Sequence, residues 1–151
     1  MVKKFAPQFI GRHISLHIEQ IEDSVCTDSK WLGFIIEQLI SNAVKYSKDG
    51  GSVRIYTLHG KGDIKKNSKD DSLQLVIEDT GIGINEEDIP RIMERGFTGY
   101  NGRLDRKSSG IGLYLCRKAA DRLGFVITFD ASYKNGTRVV IDMTQRYTKH
   151  E

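Results

Sequence analysis

The sequence has few cysteines, no long apolar run and little excess charge, and each shortage excludes a class of protein. Its two cysteines, Cys26 and Cys116, lie in apolar-patterned segments, which predicts buried free thiols of a cytosolic domain. No apolar run approaches 18 residues and no signal peptide is visible, so we expect no membrane span and no export. The 23 basic and 20 acidic residues give a net charge of +3, which argues against a dedicated nucleic-acid binder.

The length and composition indicate one globular unit. A chain of 151 residues with 38% hydrophobic side chains has enough core to fold alone. Internal repeats and low-complexity segments are absent from the sequence. We therefore expect a single domain over residues 1–151.

A carboxylate followed by two glycines stands directly after an apolar strand, in Asp79-Thr80-Gly81-Ile82-Gly83-Ile84. A carboxylate in this position can accept a hydrogen bond from the exocyclic amine of a purine. Gly81 and Gly83 are expected to turn the backbone with positive φ and to bring a flat base close to the main chain. Alone the pattern is weak evidence, because turn glycines after strands are common.

A second group of polar residues follows the apolar stripe of a helix predicted from Trp31 to Tyr46. At about 100° per residue, Gln38, Asn42 and Lys45 fall within an arc of roughly 60°. Asn42 offers a neutral oxygen suited to Mg²⁺, Lys45 a charge for phosphate, and Tyr46 a ring on which a base could stack. The simpler alternative is an ordinary solvated helix flank.

A third segment, Ser108-Ser109-Gly110-Ile111-Gly112-Leu113, is a glycine-rich loop that opens a helix. The free N–H groups and positive dipole end of such a helix can hold phosphate. The segment is neither a P-loop, since it lacks G-K-[ST], nor a dinucleotide fingerprint, since it lacks the third glycine. Alternatively, the glycines only ease packing at the helix entry.

Together these segments resemble the histidine-kinase branch of the ATPase superfamily that also includes gyrase, mismatch-repair ATPases and heat-shock chaperones. Asn42-Ala43-x-Lys45-Tyr46 resembles the N box, Asp79-x-Gly81-x-Gly83 the G1 box, and Gly110-x-Gly112-Leu113 the G2 box. Residues 92–98 resemble the F box, and residues 135–139 the last glycine-containing box. The five motifs occur in the family's order over roughly residues 27–144.

The resemblance implies an α+β fold, a two-layer α/β sandwich. It has a mixed, mostly antiparallel sheet covered on one face by three helices, and a flexible ATP lid over about residues 85–109. The sequence pattern predicts strands at Ile14–Ile18, Ser24–Thr27, Val53–Leu58, Leu73–Glu78, Phe125–Ala131 and Arg138–Met143. It predicts helices at Trp31–Tyr46 with Asp28 or Ser29 as N-cap, at Pro90–Glu94, and up to Leu123 with Gly124 as C-cap. His59–Ser72 is expected to be an exposed, mobile hairpin loop, and the final hairpin to turn at Asn135-Gly136.

The resemblance also implies a role for each site residue. Asp79 would hold the adenine amine, Gly83 would let the base approach the backbone, and Thr137 would support the adenine pocket. Asn42 would bind Mg²⁺ that bridges the ATP phosphates, and Lys45 would reach the same phosphates. The expected nucleotide-binding set is Asn42, Lys45, Tyr46, Asp79, Gly81, Gly83, Ile84, Gly110, Gly112, Leu113 and Thr137. Arg103, Arg106 or Lys107 in the lid would close over the γ-phosphate, and the sequence does not choose among them.

Gln38 departs from the hydrolytic members of the superfamily, which have a glutamate four residues before the metal-binding asparagine. An amide cannot act as a carboxylate base, and the adjacent Glu37 points about 100° away on the helix. We count Gln38 with Asn42 and Lys45 as the catalytic set and expect phosphoryl transfer rather than efficient hydrolysis. The alternative is that Gln38 is only a polar residue on the helix flank.

The phosphoacceptor of such a kinase is missing from the sequence. None of the four histidines, His13, His17, His59 and His150, lies in the His-Glu-plus-Pro context of the family's dimerisation domain. We therefore expect an isolated catalytic domain that does not phosphorylate itself, with Met1–Lys4 as the tail of a linker. The parent protein would be membrane-anchored, with this domain in the cytoplasm.

The implied partners are the missing dimerisation domain and a response regulator, with no nucleic acid. The sequences Trp31–Gln38 and Tyr114–Cys116 resemble kinases of Gram-positive bacteria that sense peptide antibiotics together with an ABC transporter. The alternative is a stand-alone anti-sigma-factor serine kinase of the same superfamily. The F box, the Lys45-Tyr46 pair and Gln38 favour the histidine kinase.

Overall fold

The structure is a computed structural model that describes residues 6–19, 28–59, 72–97 and 111–143. The described ranges contain helices α1 (Ala6–Gly11), α2 (Ser29–Tyr46) and α3 (Gly112–Leu123). They also contain strands β1 (Ser15–Ile18), β2 (Ser52–His59), β3 (Leu73–Asp79), β4 (Val126–Phe129) and β5 (Thr137–Asp142), and a short 3-10 helix, Ile89–Arg91.

The five strands form one open sheet in the order β1-β2-β3-β5-β4. β1 runs parallel to β2, and the other neighbouring pairs are antiparallel. The central strand β3 ends at Asp79, which lies opposite Thr137 of β5 and Val53 of β2. The register therefore places the acidic residue of the G1 box at the end of the central strand, with a neighbouring strand on each side.

One face of the sheet is apolar and packs against the helices. Alternate side chains of each long strand are buried on this face, because side chains of a strand alternate between the two faces. The buried core contains Val53 and Ile55 of β2, Leu75 and Ile77 of β3, Val139 and Ile141 of β5, Ile35, Leu39 and Ile40 of α2, and Cys116 and Ala119 of α3. The predicted two-layer α+β sandwich with a mixed, mostly antiparallel sheet is confirmed.

At both ends of α2, side chains form hydrogen bonds with backbone groups that have no partner within the helix. The carboxylate of Asp28 accepts the backbone N–H of Lys30 at 2.9 Å, which confirms the expected N-cap. At the other end, the guanidinium of Arg12 donates to the carbonyl oxygens of Val44 and Ser47. A cation is favourable there, since the last carbonyls of a helix lack partners within the helix.

The structure differs from the sequence prediction in three places. Helix α1 was not predicted, and the predicted helix at Pro90–Glu94 is the 3-10 helix Ile89–Arg91 followed by turns. β4 and β5 form the expected hairpin, but its connection does not turn at Asn135-Gly136 alone: the chain bends there and also turns earlier, where the N–H of Tyr133 donates to the carbonyl of Asp130.

Other expectations are confirmed or lie outside the described residues. Strands β2 and β3 pair from Val53–Asp79 as far as His59–Leu73, so they form the expected hairpin. Cys116 is a buried free thiol, and burial raises its pKa to about 12. The predicted strand Ser24–Thr27, Cys26, loop residues 60–71 and lid residues 98–109 lie outside the described ranges.

Within the described ranges, none of the helices combines the length and the apolar composition that a membrane span needs.

Candidate functional site

Asp79 is a buried carboxylate whose two oxygens have different surroundings. Its side chain is 5% exposed, and Oδ1 accepts the backbone N–H groups of Gly81 at 2.8 Å and Thr137 at 3.2 Å. Among the described residues, no hydrogen bond reaches Oδ2. Burial raises the pKa of Asp79 to about 6, although the two N–H groups lower it. The site therefore holds one oriented carboxylate oxygen that is free to accept a donor from a ligand.

The two glycines of the G1 box serve different purposes. Gly83 has the expected positive φ of 75°. The expected positive φ of Gly81 is wrong, since its φ lies outside the left-handed region. Gly81 is required for space instead, because a Cβ there would lie 2.2 Å from the carbonyl oxygen of Tyr46. The turn after β3 thus packs directly on the last turn of α2, where Ile82 N–H also donates to Tyr46 O at 3.1 Å.

Gly136 is a site residue whose contact the sequence did not reveal. A Cβ at this position would lie 1.9 Å from the carbonyl oxygen of Asp79 and 2.8 Å from the nitrogen of Gly81. A Cβ on Gly83 would in turn lie 3.2 Å from the carbonyl oxygen of Gly136. Three backbone segments therefore meet at Asp79, and glycine permits the close approach at each point.

Helix α2 connects the carboxylate end of the site with the start of α3. A Cβ on Gly112, the first residue of α3, would lie 2.9 Å from Oε1 of Gln38. Gln38 and Tyr46 are eight residues apart, which is about 12 Å at 1.5 Å per residue. Asn42 lies midway between them and is half-buried. The N box therefore spans the distance between the G1 turn and the G2 helix.

Lys45 and Tyr46 form the exposed end of this helix. Lys45 is exposed, Tyr46 is half-buried, and the Lys45 ammonium lies 5.2 Å from the centre of the Tyr46 ring. A cation over an aromatic face is an attractive arrangement. The pair presents one positive charge beside one flat apolar surface.

The start of α3 has the features of an anion site. In the described residues its N-cap, Ile111, provides no side-chain hydrogen bond to the first turn. Leu113 is half-buried and packs against the core. The free N–H groups of such a first turn attract anions. Gly110 and the lid cations Arg103, Arg106 and Lys107 lie outside the described residues.

A pocket of about 140 Å³ lies beside the G1 turn. Gly83, Ile84 and Thr137 of the expected set line it. The rest of the lining includes apolar residues and polar or charged ones, among them Ile89, Phe129, Asp130, Tyr133, Lys134 and Arg138. Asn42, Lys45 and Gly112 do not line this pocket. The pocket therefore lies between the G1 turn and the connection from β4 to β5, and the Asp79 carboxylate is not part of its lining.

The described residues fit a divalent cation that is held mainly by the phosphates of a ligand. In these ranges no three His, Cys, Asp or Glu side chains gather as a metal site. Asn42 offers a single neutral oxygen on α2, between the G1 turn and the start of α3. Mg²⁺ is often bound by one or two protein groups together with substrate phosphates and water, so one amide is compatible with such a site.

The family profile described as "Histidine kinase-, DNA gyrase B-, and HSP90-like ATPase" matches residues 27–146. The chain belongs to this family, and ATP binding follows from membership. The match covers the turn at Asp79, the helix of Asn42 and the start of α3. The family-level expectation from the sequence is therefore confirmed.

Two curated relatives are sensor kinases from Gram-positive bacteria. The chain is 37% identical to the sensor protein BceS of Bacillus subtilis over 136 residues, which are 90% of this chain and 38% of BceS. It is 39% identical to the sensor protein kinase GraS of Staphylococcus aureus over 120 residues, 80% of this chain and 32% of GraS. The chain thus spans about a third of the length of the relatives it matches.

Among solved structures, the chain is similar to the mycobacterial sensor histidine kinase MprB. The TM-score is 0.75 at 24% identity, covering 94% of this chain and 91% of that one. At this identity the likeness supports the fold, and the sequence relatives support the family.

Proposed function

We propose that this chain is the ATP-binding catalytic domain of a two-component sensor histidine kinase. In this role it holds Mg-ATP and passes the γ-phosphoryl group to a histidine on a separate dimerisation domain. A response regulator then receives the phosphoryl group. The kinases named above are sensor proteins, which favours this function over an anti-sigma-factor serine kinase.

The observation that carries the proposal is the convergence of three distant segments around α2. The G1 turn packs on Tyr46, the start of α3 lies against Gln38, and Asn42 lies between these contacts. Residues 38, 81 and 112 are far apart in the sequence, so only the fold brings them together. The spacing of about 12 Å along α2 suits an elongated ligand with a base at one end and phosphates at the other.

Asp79 is assigned to the base. Its Oδ2 accepts the exocyclic amine of adenine, while the bonds from Gly81 and Thr137 to Oδ1 hold the carboxylate in place. Ile84 is assigned as an apolar wall for the ring, and Gly83 allows the base close to the backbone. The half-buried Tyr46 ring is assigned a stacking role at the same end.

The phosphates are assigned to the polar side chains of α2 and to the start of α3. Lys45 supplies a positive charge, and the first N–H groups of α3, with those of Gly110 and Gly112, donate to phosphate oxygens. Asn42 is assigned to Mg²⁺ through its side-chain oxygen. The bound cation neutralises phosphate charge, and positioning with charge neutralisation carries most of phosphoryl transfer.

Gln38 is assigned to the catalytic set as a neutral amide. Because an amide cannot act as a general base, it does not activate water for hydrolysis of ATP. Its amide reaches the start of α3, where a glutamate would act as a general base in a hydrolytic relative. ATP is then retained until the acceptor histidine arrives. The histidine nitrogen attacks the γ-phosphorus, the bond from phosphorus to the bridging β,γ-oxygen breaks, and ADP leaves.

The remaining assignments concern the parent protein. We place residues 1–151 as one catalytic domain on the cytoplasmic side of a membrane-anchored sensor. Its partners are the parent's dimerisation domain and a response regulator. A peptide-transporting ABC transporter acts as a partner of the full-length protein.

The proposal is tested by phosphoryl transfer between separate domains. The chain is mixed with γ-labelled ATP, Mg²⁺ and a separately produced dimerisation domain that carries the acceptor histidine. We expect acid-labile label on the dimerisation domain and none on the chain alone. Label on any of the chain's own four histidines would contradict the proposal, as would an absence of transfer from a chain that binds ATP.

Calorimetric titration with a non-hydrolysable ATP analogue separates the roles of the site residues. Asn42→Ala is expected to bind the analogue nearly equally with and without Mg²⁺, whereas the unaltered chain binds more tightly with Mg²⁺. An Asn42→Ala variant that keeps the full effect of Mg²⁺ would exclude Asn42 as the metal ligand.

A further inference from the structure

Arg138 ties three parts of the fold together on the face of the sheet opposite the helices. Its Nε and Nη2 donate to Oε2 of Glu78 at 3.3 and 3.1 Å, and Nη1 donates to Oδ2 of Asp130 at 3.1 Å. Its guanidinium also lies 4.3 Å from the centre of the Tyr133 ring. One side chain thus links the end of β3, the end of β4 and the connection between β4 and β5.

The Arg138 contacts shape the connection of residues 130–136. Oδ1 of Asp130 accepts both the N–H and the hydroxyl of Ser132, which forms the turn, while Oδ2 pairs with Arg138. Ser132 and then Arg138 lower the pKa of Asp130 below its ordinary value. One oxygen of the Asp130 carboxylate therefore stabilises the turn, and the other forms the ion pair with Arg138 of β5.

The same connection ends at the nucleotide site. Gly136 lies against the carbonyl of Asp79, and the N–H of Thr137 donates to the Asp79 carboxylate. Glu78 and Arg138 are the chain neighbours of Asp79 and Thr137, and each pair lies directly opposite in the β3–β5 register. An ion pair on one face of the sheet thus stands back to back with the adenine contact on the other face.

We propose that Arg138 is a positioning residue for the adenine-binding carboxylate. By holding residues 130–136 against the end of β3, Arg138 keeps the Thr137 N–H directed at Asp79 and Gly136 packed on it. This inference rests on the proposed nucleotide site, and it adds a determinant of affinity on the face that the nucleotide does not contact.

The proposal predicts a signature in the pH dependence of binding. If the Thr137 N–H leaves Oδ1, a group that lowers the Asp79 pKa is lost, so protonation of Asp79 begins at higher pH. Of the described ionisable groups, Tyr133 interacts with the Asp79 charge, and burial raises its pKa, so it stays neutral in this range. Glu78 and Arg138 project from the opposite face of the sheet.

The test compares Arg138→Gln with Arg54→Gln in the whole 151-residue chain. Arg54 is the matched control, because it also lies on the outer face near Glu78, 3.9 Å from Oε1, but among the described residues it pairs with Glu19 rather than with residues 130–136. We expect Arg138→Gln to weaken ADP binding about tenfold at neutral pH, a loss of ordinary size for a residue that orients a ligand-binding group without touching the ligand. The acid limb of its affinity profile should move to higher pH, and Arg54→Gln should change neither quantity.

Arg138→Lys distinguishes the forked geometry from the charge alone. A lysine ammonium keeps the positive charge but cannot reach Glu78 and Asp130 as a planar fork. The proposal requires Arg138→Lys to lose most of the affinity that Arg138→Gln loses. Full rescue by lysine would contradict it.

A second variant separates positioning from loss of stability. Removing Arg138 leaves the 6%-exposed Glu78 without its closest cation, so a thermal melt is expected to show destabilisation. The double variant Glu78→Gln/Arg138→Gln removes that unpaired charge and should recover much of the melting temperature while ADP affinity stays low. Recovery of affinity together with stability would overturn the positioning role.

The outcomes of this experiment also distinguish a failure of the inference from a failure of the proposed function. ADP binding by the unaltered chain and by Arg54→Gln establishes the nucleotide site independently of Arg138. If both bind and Arg138→Gln binds equally well with an unshifted pH profile, the inference fails alone. If the unaltered chain binds no ADP, the proposed function fails first.

Discussion

The backbone N–H of Thr137 donates to Oδ1 of Asp79 across 3.2 Å, and so joins the first residue of β5 to the last residue of β3. The N–H of Gly81 donates to the same oxygen at 2.8 Å. Two backbone donors hold this oxygen of the carboxylate in place. The second oxygen is therefore directed by the fold before any ligand arrives.

Asp79→Asn is expected to separate binding from folding. The asparagine oxygen can still accept both backbone donors, while an NH₂ group replaces the second oxygen and faces the adenine amine, donor against donor. We expect a loss of binding free energy of about 1–3 kcal/mol or more in a calorimetric titration with ADP. Glu87→Gln, a similar change at an exposed position, serves as control. An Asp79→Asn variant that binds like the unaltered chain would end the adenine assignment.

The buried carboxylate should also make stability depend on pH. The folded-state pKa of Asp79, about 6, lies above its ordinary value of 3.8, so the native state binds the proton more tightly than the unfolded state. This contribution is fully present below pH 3.8 and is lost as the pH rises through 6, at most about 3 kcal/mol.

Urea unfolding of the nucleotide-free chain between about pH 4 and pH 8 checks the sign. Asp79→Asn should gain stability relative to the unaltered chain as the pH rises, because it lacks the buried charge. A difference between the two proteins that does not change with pH would show that Asp79 does not titrate in this window.

Gly136→Ala is expected to disturb the site through the backbone. Its Cβ would lie 1.9 Å from the Asp79 carbonyl oxygen, and neither group is the end of a flexible side chain. We expect a loss of about 1–3 kcal/mol in unfolding free energy, together with weaker ADP binding. Gly11→Ala is the control, since a Cβ there meets nothing within 4 Å and should leave the melting curve almost unchanged. Equal melting curves for the two variants would contradict the close approach.

Gln38→Glu is expected to introduce ATP hydrolysis. A carboxylate at this position lies beside the start of α3 and can take a proton from water, which the amide cannot do. Phosphate release by the isolated chain should rise by at least about tenfold, with ADP affinity changed little. Glu37→Gln, one residue away on another side of the helix, should have no such effect. Unchanged phosphate release from Gln38→Glu would indicate that the residue lies away from the attacking water.

Much of the fold followed from the sequence because its signals are local. The apolar stripe of α2, the Asp28 cap and the glycine after Leu123 each mark an element within a few residues. Helix α1 was missed because six residues are too few to show a helical period. The last turn was only partly placed because Asn135-Gly136 resembles a hairpin turn, whereas Asp130 and Ser132 form an earlier turn through a side-chain carboxylate.

The site was predictable by residue type and less so by geometry. The motif identified Asp79 and its glycines. It did not show why residue 81 must be glycine, because the carbonyl of Tyr46 that leaves no room for a side chain comes from a distant part of the sequence. The Arg138 contacts to Glu78 and Asp130 likewise depend on strand register. Long-range packing, rather than local propensity, determines both.

The hydrogen bonds from Arg12 to the end of α2 couple two helices of the domain. Arg12 follows α1 and holds the last carbonyls of α2, while its own carbonyl accepts the N–H of Gly50 at 3.1 Å. Arg12 therefore ties the end of α1 to the last turn of α2, so these two elements are coupled mechanically at the turn that holds Lys45 and Tyr46.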